Sequence, residues 1–192
     1  MFREGSMQTE LRFRFVQLLV CTLWLLAMFA HSAKAGNLPS SIYTQTSSWT
    51  EDTGQTVQLS KWQGQPLIIA MAYTECTRVC NATLHKLEEA QALADQQKTP
   101  VQFIIVSFDP SIDNPNSWSY YRRQHHFTER SNWHFLTGTT SATKRLAQSL
   151  GIKFWIDEDH VMHDLRILFI NPDGQIKTFL DWDHQEVANL FK

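Results

Sequence analysis

Pro66-Leu67-Ile68-Ile69-Ala70-Met71-Ala72-Tyr73-Thr74-Glu75-Cys76-Thr77-Arg78-Val79-Cys80 is the stretch from which the rest of the chain can be read. Residues 66–73 are continuously apolar, with no polar alternation. A run of that length is what a strand covered on both faces requires. Residues 81–97 follow with Leu84, Leu87, Ala90 and Leu93 at helical spacing. The order is strand, cysteine-bearing connection, helix, which opens an α/β unit. Cys76 and Cys80 therefore sit at the carboxyl end of a central strand, where open α/β sheets place their ligands.

Downstream the pattern repeats. Residues 101–108 read as a second buried strand, closed by Asp109-Pro110. Residues 116–127 are helical in character, with Ser117 near the start. A short strand is expected over 133–136 and a helix over 141–150, with Gly151 as its stop. Residues 165–170 form a strand ending in the turn Asn171-Pro172-Asp173-Gly174, and 176–180 pairs back as a hairpin. A short helix is expected over 186–191. Upstream, the turn signal Asp52-Thr53-Gly54-Gln55 within 49–65 predicts an N-terminal hairpin. The polar stretch 157–164 reads as a loop. Two buried strands joined by a crossover helix imply parallel pairing, and the closing hairpin adds antiparallel strands. The expected fold class is α/β: a central mixed β-sheet flanked by helices, with an N-terminal β-hairpin.

The chain has 192 residues, enough for one domain plus a leader. It is 43% hydrophobic with a net charge of −2, which suffices for a core and gives no support for nucleic-acid binding. At the N-terminus Arg12 and Arg14 precede an apolar run over 15–30, then Ser32-Ala33-Lys34-Ala35. Basic flank, short apolar stretch and small residues make residues 1–35 a secretory signal, cleaved after Ala35. The alternative is an uncleaved anchor using 15–30, with the same domain, 36–192, on the same side of the membrane.

Of three cysteines, Cys21 falls within the leader, so the exported domain keeps Cys76 and Cys80. A bridge closing so short a loop adds little stability, because the entropic benefit grows with loop length. A working pair explains them better. Amides at a helix start favour negative charge, so a thiolate there has a lowered pKa. Spacing i, i+4 places both sulfurs on one side of a helical turn. Two sulfurs make a soft site, suited to Cu(I) once a third donor is found; zinc would need four protein ligands. His85 projects away from the sulfurs. His125 and His126 end a polar helix and are solvated, and His134 alternates with Trp133 and Phe135 as a buried, hydrogen-bonded residue. His184 follows an acidic, aromatic tail. His160 and His163, in the 157–164 loop, remain as candidates, and spacing does not choose between them.

The string 72–80 resembles the signature of the Sco/SenC copper chaperones, an aromatic-Thr-x-Cys-x3-Cys after a strand. The resemblance continues through Val106-Ser107-Phe108-Asp109-Pro110, Asp113-Asn114-Pro115 and residues 133–138, and ends with His163 ahead of Pro172-Asp173-Gly174. It departs from the family at Asn81, where Pro is usual, at Asn114, where Thr is usual, and at Asp164, where a small hydroxyl residue is usual.

The resemblance implies a thioredoxin-like fold and copper, as Cu(I) or Cu(II), held by Cys76, Cys80 and His163. It also implies a periplasmic metallochaperone for the copper subunit of a respiratory oxidase or another exported cuproprotein. Thiol-disulfide oxidoreductase activity on a partner protein, with Cys76 and Cys80 as catalytic residues, is the alternative that the same dithiol supports.

Overall fold

A hairpin opens the sheet: β1 (Trp49–Glu51) and β2 (Thr56–Val57) pair antiparallel around the expected turn, where Gly54 takes φ +84°. The computed structural model describes residues 41–76, 79–158 and 160–192, without the side chain of Cys80. The 1–35 leader, Asp159 and the Cys80 sulfur thus lie outside the described residues. Among the described residues no helix is long and apolar enough to cross a membrane.

The apolar run becomes β3 (Leu67–Ala72), in which all six residues are buried. Helix α1 (Val79–Gln97) follows, and then β4 (Gln102–Ser107), parallel to β3 from Leu67↔Gln102 to Ala72↔Ser107. Parallel pairing leaves no solvated face on these two strands, which is why neither shows alternation. Helix α1 buries Thr83, Leu87, Ala90, Gln91 and Ala94. It begins two residues earlier than the apolar spacing predicts.

Helix α2 (Pro115–Gln124) starts at a capping box: the Asn114 side chain accepts from the Asn116 and Ser117 amides, and the Ser117 hydroxyl accepts from the Asn114 amide. Pro115 at N1 fits because its missing N–H needs no partner there. Next come β5 (Trp133–Thr137), parallel to β4, and α3 (Thr140–Leu150). Thr139 caps the start of α3 and Gly151, at φ +67°, ends it.

The segment expected to be a polar loop is instead an antiparallel pair, β6 (Phe154–Asp157) and β7 (His160–His163), which forms a separate two-stranded sheet. The chain turns between them through Glu158 at φ +53°. Strands β8 (Ile167–Ile170) and β9 (Ile176–Leu180) then close the main sheet, with β8 antiparallel to β3. The short helix expected over 186–191 is a 3-10 helix, Val187–Phe191. The main sheet has seven strands in the order β2-β1-β5-β4-β3-β8-β9. Its parallel centre directs the carboxyl ends of β3 and β4 toward the cysteine segment and Phe108.

Candidate metal centre

The cysteine segment leaves β3 through a turn in which the Cys76 amide donates to the Tyr73 carbonyl at 3.2 Å. Cys76 precedes α1, whereas Cys80 lies in its first turn. The two cysteines therefore do not share one helical turn, as i, i+4 spacing had suggested. Cys76 is half-buried and packs against the core.

Asp113 holds this turn in place. It is 1% exposed, and Oδ1 accepts from the Thr74 amide at 3.0 Å and the Thr74 hydroxyl at 2.6 Å. Oδ2 accepts from the Ser107 hydroxyl at 2.5 Å. One carboxyl group thus ties the ends of β3 and β4 together. Burial raises its pKa above the ordinary aspartate range, against the opposing hydrogen bonds from Ser107 and Thr74.

The alternation of β7 separates the two histidines that spacing left open. Val161 and His163 turn inward and are buried; His160 and Met162 turn outward and are exposed. His163 is stacked on Phe108 with ring centroids 4.4 Å apart, and meets Tyr73 edge-on at 6.4 Å. Its Nδ1–H donates to the Asp164 carbonyl at 2.9 Å, which leaves the Nε2 lone pair for the other side of the ring. That nitrogen lies 3.8 Å from Cys76 Sγ.

The spacing fits two ligands of one ion. Metal bonds of about 2.3 Å to sulfur and about 2.0 Å to nitrogen together exceed 3.8 Å, so one ion could be reached by both atoms. A fixed tautomer, set by a backbone carbonyl, is the usual support of a metal-binding imidazole. Sulfur with neutral imidazole is a soft donor set. The same distance equally allows a thiol to donate to Nε2, which is how an imidazole activates a sulfur nucleophile. The pair opens onto a cleft of about 340 Å³ that Tyr73, Asp157, Glu158, His160 and Met162 also line.

The remaining histidines lie elsewhere. His85, on α1, and His126 are exposed. His125 is not solvated but half-buried, 4.3 Å from the Tyr121 ring, and burial lowers its pKa. His134 is the hydrogen-bonded residue expected, with Nδ1 donating to Glu51 at 2.5 Å. His184 is exposed and pairs with Asp181 at 3.0 Å. Sequence reasoning missed Asp113, although it lies in one of the quoted motifs, and it missed Phe108 as the surface under His163.

Residues 39–190 match the family model SCO1/SenC. No curated protein sequence gives a significant match. Among solved structures, copper-bound ScoI of Arabidopsis thaliana is 24% identical, with TM-score 0.65 over 74% of this chain and 89% of that one. Copper-bound yeast Sco1 is 20% identical, with TM-score 0.64 over 76% and 84%. BsSco, described with a disulfide switch and as a member of the Sco family of cytochrome c oxidase assembly proteins, is 18% identical, with TM-score 0.68 over 79% and 90%. These structures share the mixed α/β, thioredoxin-like architecture. With most of its length matched by the family model, the chain belongs to the SCO1/SenC family.

Proposed function

We propose that this protein is a copper metallochaperone that holds Cu(I) with Cys76, Cys80 and His163 and passes it to the copper centre of a respiratory oxidase. The observation that carries the reading is the approach of His163 Nε2 to Cys76 Sγ at 3.8 Å, with Nδ1 already committed to the Asp164 carbonyl. Family membership and the copper in the Arabidopsis and yeast relatives support the choice of metal. The description of BsSco supports the oxidase as destination. An exposed mouth suits transfer by ligand exchange, since an incoming donor must reach the ion before the outgoing one leaves. Residues 1–35 act as an export signal or anchor in this reading, which puts the domain in the periplasm.

The disulfide switch in BsSco favours a second reading, thiol-disulfide exchange. One cysteine attacks a partner disulfide, the partner's leaving sulfur departs as thiolate, and the second cysteine resolves the mixed disulfide. Two electrons pass from the dithiol to the partner, and Cys76 and Cys80 end as a disulfide.

Cu(I) titration of the reduced protein against a chromophoric competitor separates the readings. His163→Ala should weaken the first equivalent at least about 100-fold, by analogy with the loss of other metal-site groups, while His160→Ala leaves it within about threefold. Equal, weak binding by wild type and both variants would sink the chaperone reading. Metal-independent reduction of a disulfide substrate would then favour the second.

A further inference from the structure

The outward-facing side chains of the β6–β7 hairpin supply none of the donors of the centre described above, although two of them reach its cleft. Strand alternation puts His160 and Met162 on that face, with Trp155 cross-strand from Met162 and Asp157 cross-strand from His160. Trp155 is 54% exposed and Met162 41%. A flexible thioether and an imidazole, both exposed, are donors of the same soft class as the Cys76–His163 pair. They stand two residues apart on one strand, about 6.6 Å along it, a gap that the three rotatable bonds of methionine can close onto one ion. Both residues also line the cleft that contains Cys76 and His163. The Asp157 carboxylate across from His160 adds negative charge that favours a cation.

We propose that His160 and Met162 form a second, weaker Cu(I) site on the outer face of the hairpin, a stage at which copper arrives before it enters the cleft. The inference rests on the copper reading of the Cys76–Cys80–His163 centre for its destination, but its donors are separate. Binding is ligand exchange without redox change: Cu(I) leaves its carrier, gains the Met162 sulfur and a neutral His160 nitrogen, and then exchanges these for the cleft donors. Neither donor loses a proton.

The test is Cu(I) titration of the reduced, purified protein under anaerobic conditions, read by competition and by the ε-methyl resonances of [13CH3]-methionine. Wild type should take a second equivalent at least about tenfold weaker than the first, and the Met162 methyl should shift only with that second equivalent. Met162→Leu keeps the apolar bulk and removes only the sulfur. Paired with His160→Gln, it should abolish the second equivalent, leave the first within about threefold and slow loading of the first at least about fivefold. A wild type that stops at one equivalent with the Met162 methyl unshifted, or a double variant that retains two, overturns the proposal. So does unchanged loading by the double variant. A wild type whose single equivalent shifts the Met162 methyl and is lost in the double variant would refute the chaperone centre and leave this site standing.

Discussion

Replacing Asp113 by alanine tests whether one buried carboxyl group positions the cysteine segment. Asp113 accepts two hydrogen bonds from Thr74 and one from Ser107. Bonds to a charged acceptor are worth about 1.5–3 kcal/mol each, and the cost of burying the group offsets much of the sum. In Asp113→Ala the two hydroxyls can turn to other acceptors or to a water in the vacated space, but the Thr74 amide cannot turn. The net loss is therefore about 2–4 kcal/mol, read as a lower urea midpoint at unchanged slope. Asp113→Asn keeps an oxygen for both Thr74 bonds and can donate its amide to the Ser107 hydroxyl, so it should cost under about 1.5 kcal/mol. The proton provides a second signature. Burial raises the folded pKa above the unfolded value near 3.8, so the group's contribution is fully present below that pH. It is lost as pH rises through the folded value, and the asparagine variant lacks that slope. Because Thr74 is two residues from Cys76, the alanine variant should also bind the first Cu(I) about tenfold more weakly. An alanine variant within 0.5 kcal/mol of wild type, or an asparagine variant as damaged as the alanine one, would refute the clamp (~0.5 kcal/mol is the scatter of neutral surface changes).

Two further perturbations probe the two ends of the fold. Burial lowers the pKa of His134, against the raising effect of Glu51, so between that lowered value and about pH 6.5 the unfolded chain binds a proton that the folded residue refuses. Stability should fall as pH drops through this window. His134→Gln should remove part of the slope in urea unfolding and leave the part due to His125, and an unchanged slope would contradict the assignment. At the other end, Phe154→Ala removes the ring that holds the hairpin to Phe108 at 5.1 Å. Half-buried, it should cost about 1–3 kcal/mol and speed amide exchange in 154–163 at least about tenfold without affecting β3 or β4. Uniform loss of protection across both sheets would count against an independently anchored hairpin.

The centre of the sheet was legible because burial on both faces leaves an unmistakable apolar run, as at 66–73. Caps and turns were legible because their chemistry is local: Gly151 ends α3 and Gly54 turns β1 into β2. The β6–β7 hairpin was not. It belongs to a sheet of two strands, its one apolar run, Phe154-Trp155-Ile156, is only three residues long, and the polar residues 157–160 that follow read as a loop. Reading 160–163 with period two would have paired Val161 with His163 on the inward face and turned His160 away. Asp113 was hidden for a different reason. Its partners, Thr74 and Ser107, come from two other segments, and a polar clamp of that kind has no periodicity to detect.

The two donors of the candidate centre are held in different ways, and this bears on how a held ion could leave. Cys76 is fixed from the main sheet, through Tyr73 and the Thr74–Asp113 bonds. His163 belongs to a hairpin whose strands pair only with each other. Its base is closed by the Asp164 amide donating to the Lys153 carbonyl at 3.1 Å, and its inner face rests on Phe108. A lone two-stranded hairpin is marginally stable, so this one depends on its packing against Phe108 and on the burial of Val161. Loosening it would withdraw Nε2 from Cys76 while leaving the β3–β4 core and the cysteine turn intact. Under the chaperone reading, the histidine is then the donor that gives way first and the dithiol retains the ion until the partner's ligands arrive. A partner that grips the exposed Trp155 and Ile156 would pull on the element that releases the metal. Recognition and release would be coupled through one hairpin, with no rearrangement of the sheet.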